Sequence, residues 1–266
     1  MPKADSYLYL KILAVFLVFA TIASVSVKVF NLVKTSSFNH NSFNVLVLSK
    51  DTFVFHLDTI NKKIYVLNVG GSNKALLKKS RIYDSEALGV LIDGVVEARS
   101  GVDISPNDFV AGKNFSNLLF DSGDYHLQNI NALDFLKLYF YSKSADQINY
   151  GSQKIDIKNL PQDLLQTVGT SAFKDQELID SKASAQVVNA TDINGLGTEF
   201  AIALKSVGYN IVGVESSDTQ DSSVIMASDK EDIATRRIQD AFALPVKLSQ
   251  NSDADVVFVI GTDIAK

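Results

Sequence analysis

The run from Ile12 to Val27, ILAVFLVFATIASVSV, carries no charge, and its apolar character continues outward through Tyr7 to Leu10 and Val29 to Val33. Almost no polar face interrupts it at helical spacing, so it does not read as a surface or core helix. With its flanks it reaches the ~20 residues that cross a hydrocarbon core. Lys11 and Lys28 stand at its borders, where each ammonium can snorkel to the interface while its stem stays in apolar surroundings. Tyr7 and Tyr9 fit the interfacial aromatic belt, and Phe16 and Phe19 belong to the lipid-facing interior. Residues 1–34 are therefore expected to form a cytoplasmic tip and a transmembrane helix anchored by Tyr7, Lys11, Phe16, Phe19 and Lys28. Lys3, Lys11 and the free amine outweigh Asp5 and favour a cytoplasmic N-terminus, a bias weakened by Lys28 and Lys34. The alternative is a cleaved signal peptide, with Ile12 to Ala20 as its apolar region and Thr21-Ile22-Ala23 as a poor cleavage site. Either reading sends the rest of the chain outside the cytoplasm.

That remainder has the composition of a protein that folds in water. The 266 residues are 46% hydrophobic and 21% charged, which leaves room for about two domains. Twenty-five basic against thirty acidic residues give a net charge of -5, so no global positive field is available to hold nucleic acid by counterion release. The absence of cysteine excludes disulfides, thiol nucleophiles, Fe–S clusters and cysteine-ligated zinc.

After a polar connector from Thr35 to Ser42, three β-rich runs follow at 43–48, 52–57 and 63–67. The turn formers Asp58 to Lys63 join the last two as a hairpin. Helical spacing then places Ala87, Leu88, Leu91, Ile92, Val95 and Val96 on one face, with Gly101 as the stop. A second amphipathic helix is expected from about Asn131 to Tyr141. Between Tyr141 and Ser184 the sequence is polar and turn-rich, with Ile155 and Ile157 alternating as in an edge strand. The last eighty or so residues give the clearest pattern, β-α-β-β-α-β, with an additional strand at Val246 to Leu248. In it Gly208 caps the first helix and Asp229 the second. The organisation expected is 1–34, then an α/β domain over 43–142, a linker with short structure over 143–183, and a C-terminal domain over 184–266 that folds on its own.

Chemical motifs are few. Gly195-Leu196-Gly197 lies between a strand and a helix with Glu215 closing the next strand, but Phe200 stands where a dinucleotide fingerprint needs its third glycine. His40, His56 and His126 have no partner at metal-ligand spacing, and His56 reads as a half-exposed strand histidine. No Gly-x-Ser-x-Gly elbow occurs. The pairs Asp218/Asp221 and Asp253/Asp255 read as solvated turns, and Arg236-Arg237 as an exposed helix face.

Several separated motifs nevertheless agree in order with a known family. Gln186-Val187-Val188-Asn189-Ala190-Thr191, Asn194-Gly195-Leu196-Gly197, Gly208-Tyr209-Asn210-Ile211-Val212-Gly213-Val214 and Asp255 to Asp263 resemble the C-terminal domain of LytR-type bacterial cell-envelope proteins. The residues that carry the motif are Asn189, Thr191, Gly195, Gly197, Gly208 and Gly261, and the resemblance implies an extracytoplasmic accessory domain. The preceding region resembles a reduced LytR/CpsA/Psr domain through Asp51 to Asp58, Val96 to Ile104 and Ala132 to Leu136. Active members of that family are membrane-anchored phosphotransferases that move glycopolymers from a polyprenyl pyrophosphate carrier to the cell wall.

The likeness departs where chemistry would occur. Leu48-Ser49-Lys50 runs directly into Asp51-Thr52 where active members carry Gly-x-Asp-x-Arg. Asn68-Val69-Gly70-Gly71 replaces their Ser-Ile-Pro-Arg-Asp, and Lys137-Leu138-Tyr139 their Arg-x-Arg. A pyrophosphate site needs guanidinium forks, and only Asp51, Arg81 and Lys137 remain as weak catalytic candidates. Lys50, Lys74, Lys78, Lys79, Arg81 and Lys137 would have to converge to replace the missing forks. The function expected is an anchored, non-catalytic protein that binds or organises envelope components. Its partners would be the bilayer and cell-wall glycopolymers or envelope proteins, not nucleic acid. The alternative is a divergent phosphotransferase. No cofactor or metal is expected, with magnesium only in that alternative.

Overall fold

The computed structural model describes residues 4–69, 77, 81–99, 101–113, 123–151, 172–250 and 253–264. The chain divides into two compact units, 1–36 and 37–266. The first is a single helix, α1 (Ala4–Lys34). Its segment Leu8–Lys34 is long and apolar enough to cross a membrane, and none of that span is buried.

The second unit is mixed α/β, with two mixed sheets. The first contains β1 (Ser42–Leu48), β2 (Phe53–Asp58), β3 (Lys63–Asn68), β4 (Gly94–Ala98), β5 (Tyr125–Gln128) and β6 (Gln147–Tyr150), in the order β5-β4-β1-β2-β3-β6. The meander expected for β1 to β3 is present, antiparallel throughout. The expected helix through Val96 is not. A short α2 (Arg81–Leu88) ends at Gly89, whose φ of +60° suits glycine, and Gly94–Ala98 is a strand parallel to β1. The run Leu91 to Val96 is buried almost throughout, and an apolar run of this length fits a buried strand as readily as a helix face.

This sheet is covered on both sides. One face carries Phe43, Val45, Phe53, Phe55 and Ile64 against α3 (Pro106–Val110) and α4 (Ala132–Ser144), which supply Phe109, Phe135 and Leu138. The other face carries Leu46, Leu48, Val54 and Leu67 against Leu88, Val90, Ile92 and Phe173. Helix α4 forms where expected because Asn131 and Asp134 make a reciprocal capping box at its start.

A short α5 (Gln176–Ser181) leads into the second sheet. Its elements are β7 (Ser184–Asn189), α6 (Leu196–Val207), β8 (Asn210–Ser216), β9 (Val224–Ala227), α7 (Ile233–Phe242), β10 (Val246–Leu248) and β11 (Val256–Ile260). This is the expected β-α-β-β-α-β pattern with its additional strand, in the spatial order β10-β9-β11-β7-β8. Helices α6 and α7 pack on one face around Phe200, Phe242 and Phe258. The cap of α7 is Asp232, which accepts from the Ala234 amide at 2.9 Å, rather than Asp229. The expected edge strand at Ile155 and Ile157 lies outside the described residues.

Candidate functional site

The charged candidates from the sequence sit on different elements. Asp51 is exposed in the turn after β1, beside Lys50. Lys137, on α4, donates to the Phe38 carbonyl at 2.7 Å, and its ammonium lies 5.8 Å from the Phe38 ring centroid. Phe38 precedes β1 and Asp51 follows it, so the seven residues of β1 hold the two ends about 20 Å apart at the rise of a strand. Arg81 directs its guanidinium to the carbonyls of Asp240, at 3.3 Å, and Ala241. Burial lowers its pKa, with Asp93 opposing. Lys74, Lys78 and Lys79 lie outside the described residues. Asp51 and Lys137 thus belong to opposite ends of β1, and among the described residues no cluster of three or more His, Asp or Glu side chains forms a metal site.

The residues of the C-terminal motif build loops. Asn189 ends β7, and its amide donates to the Ile193 carbonyl at 2.8 Å while its Oδ1 accepts from the Thr191 hydroxyl at 2.6 Å. Thr191 Oγ1 in turn accepts from the Ile193 amide at 3.2 Å, so the pair sets the turn that delivers the chain to α6. Gly195 is the N-cap of α6, and a Cβ at Gly197 would press on Asn189 and Val214, both at 3.2 Å. Gly208 closes α6 at φ +124°, a conformation that favours glycine. At Gly261 a Cβ would stand 2.5 Å from the Ser222 carbonyl carbon, because the chain after β11 passes directly against that backbone. Asp263 seals the same corner by accepting from the Ser223 amide and hydroxyl, at 2.9 and 2.6 Å.

Among the described residues a buried polar cluster forms that the sequence pattern does not reveal. Arg237 was expected on an exposed helix face, yet it is fully buried. Its Nη2 donates to Asp93 Oδ2 at 2.9 Å, Nη1 donates to Asp93 Oδ1, and Nε lies 3.4 Å from Asp175 Oδ2. Asp93 also accepts from the Asn44 amide at 2.7 Å, and Asp175 from the Ser42 hydroxyl at 2.9 Å. Asn44 Oδ1 is 2.6 Å from His56 Nδ1. One arginine of the second sheet's helix thereby closes on two carboxylates outside that sheet, against the first strand of the other. Burial alone would lower the Arg237 pKa, but the charge and hydrogen bonds of Asp93, with Asp175 behind, hold it above its ordinary value. His56, read as half-exposed, is buried, because β2 is covered on both faces. Desolvation lowers its pKa to about 4, against the pull of Asp58 and with the push of Arg237.

A signal for Arg237 was present. It lies three residues after Ala234 and four before Ala241, both buried, whereas the exposed Arg236 is turned about 100° away around the helix. Asp93 and Asp175, distant in sequence, gave none. The cluster has the properties of a structural junction: its charges are paired, enclosed and without access for a substrate.

Residues 182–263 match the family described as LytR cell envelope-related transcriptional attenuator. No curated protein gives a significant match. Among solved structures, TagT bound to LI-WTA is 15% identical over 69% of this chain and 80% of that one, with a TM-score of 0.18. The ywtF protein of Bacillus subtilis is 12% identical over 77% and 92%, at a TM-score of 0.18. The Lin1025 protein from Listeria innocua is 10% identical over 85% and 95%, at 0.19. What the chain shares with a known family is carried by its second sheet: residues 182–263 match the LytR-type C-terminal domain.

Proposed function

We propose that this is a membrane-anchored protein of the cell envelope, N-terminus in the cytoplasm and body outside, which binds or organises envelope components without catalysing a transfer. The observation that carries the reading is the LytR-type C-terminal domain over 182–263, joined in one chain to an apolar helix long enough to span a bilayer. The tying of the Lys137 ammonium and the Arg81 guanidinium to backbone carbonyls supports it, since a pyrophosphate needs several convergent cations that donate to it. In this reading the bilayer is a partner through α1, and the body meets wall glycopolymers or envelope proteins. No cofactor is required, and magnesium belongs only to a transferase.

Two measurements on the full-length protein test it. Membranes from expressing cells should retain the protein through carbonate washing, and its N-terminus should be intact; release, or a mature N-terminus near Ser24, would remove the anchor. Purified in detergent, the protein should sediment with isolated cell walls and fail to consume a lipid-linked pyrophosphate substrate in the presence of magnesium. Turnover that disappears in Asp51→Ala would replace the binding role by a divergent phosphotransferase.

A further inference from the structure

Helix α4 crosses the first sheet at one particular end. It is entered from β5, whose last residue Gln128 pairs with Val95 at the start of β4, and left into β6, whose first residue Gln147 pairs with Lys63 at the start of β3. Lys63 pairs with Asp58, and Asp58 with Ser42, the first residue of β1. Both ends of α4 therefore lie at the end of the sheet where β1 begins, on opposite edges. Its 13 residues give a length of about 20 Å, close to the width of six strands at ~4.8 Å spacing. The chain arriving from α1 is tied to this helix at once: Asp134 accepts from the Ser37 and Phe38 amides at 3.4 and 3.1 Å, and Lys137 donates to the Phe38 carbonyl.

The outer side of α4 is apolar. Phe135 and Leu138 face the sheet, while Leu136 is 43% and Phe140 62% exposed, with the half-buried Leu133 on the same side. Helical spacing puts Lys143 on one flank of this stripe and Lys137 on the other. Ile60, Lys62 and Lys63, in and beside the β2–β3 turn, are exposed at the same end of the sheet. A narrow apolar stripe between lysines is the pattern of a helix that lies in a membrane interface.

We infer that the outer face of α4, through Leu136 and Phe140, rests on the surface of the lipid bilayer. The inference depends on the anchored reading of α1. What commits it to lipid rather than to another protein is the tether: Lys34 and Ser37 are three residues apart in sequence, a reach of at most about 11 Å in any disposition of the two units. A spanning α1 therefore keeps the start of α4 near the headgroups at all times, and the lysines complement anionic lipids there.

The chain contains no tryptophan, so a single introduced indole reports its own surroundings. Full-length Phe140→Trp, with Leu136→Trp as a second position, would be reconstituted in phosphatidylcholine–phosphatidylglycerol vesicles carrying lipids brominated either near the headgroup or deep in the acyl chain. Phe19→Trp tests the anchor, and Val212→Trp, on the exposed edge strand β8, is the reference. The expected result is strong quenching of the α4 tryptophans by shallow bromine, with little by deep bromine. Phe19→Trp should show the reverse order, and Val212→Trp no quenching. Quenching of Phe19→Trp without quenching of either α4 position would overturn the inference and leave the anchor standing. Failure of Phe19→Trp to quench would remove both. Equal quenching at Val212→Trp, or a blue-shifted α4 emission insensitive to bromine, would overturn it in favour of unspecific adsorption or a protein partner.

Discussion

The two sheets of the body bury their second faces differently. Behind β1 and β2 lies a large cluster built from Leu46, Leu48, Val54, Ile92, Val95 and Phe173. Behind β7 and β11, among the described residues, lies a small one of Ala190, Val224, Val257 and Val259, and β8 leaves Val212 and Val214 nearly half exposed. A sheet covered on one side writes alternation into its strands, as β7 does, whereas one covered on both sides writes unbroken apolar runs. The first also encloses polar groups, Ser42, Asn44 and His56, and it is there that Arg237 crosses from the second. The region whose pattern is easier to read is therefore the one that depends on a partner the pattern does not show.

Breaking that dependence should have the largest effect. Arg237→Met would leave Asp93 and Asp175 buried together without their cation, at a cost of about 3–5 kcal/mol. Arg236→Met, one residue away and exposed, should fall within ~0.5 kcal/mol. Denaturant unfolding of the two variants checks the contrast; equal midpoints would show that the junction contributes nothing.

The difference in second faces can be sharpened next. Leu46→Ala, fully buried behind the first sheet, should cost about 2–5 kcal/mol, and Val212→Ala on β8 within ~0.5 kcal/mol. Similar losses in both would mean that the second sheet's open face is covered in solution.

A pH titration separates the regions in another way. His56 is neutral in the fold down to about pH 4, while its unfolded counterpart takes up a proton near 6.5. The unfolded state thus binds more protons between these values, so stability is full above pH 6.5 and falls as pH drops toward 4, by about 3 kcal/mol in all. Unfolding free energies measured across this window should flatten in His56→Gln relative to the parent. A variant as steep as the parent would assign the slope to other groups.

A smaller loss concerns α4. Asn131→Ala removes the cap oxygen that accepts from the Leu133 and Asp134 amides, and thermal unfolding should register about 1 kcal/mol. A loss several times larger would tie the start of α4 more closely to the core than its capping bonds imply.

Much was legible because it was local. The uncharged run of α1, the meander of β1 to β3, the amphipathic α4 and the alternation through β7 to β11 each depend on residues close in sequence, and the glycines and Asn189 of the C-terminal motif mark turns that the neighbouring chain itself requires. What only the tertiary structure decided depends on distant partners. The segment from Gly94 to Ala98 became a strand because β1 and β5 offered their edges on either side. Asp51 was kept from Lys137 by the length of β1, and Arg81 was turned to the carbonyls at the end of α7. Arg237 was buried because Asp93 and Asp175, 144 and 62 positions before it in the chain, converge on one guanidinium. Hydrophobic period is written every two or four residues and survives in sequence; the pairing of a buried charge is written only in the fold, since desolvation is tolerated where the opposite charge happens to arrive.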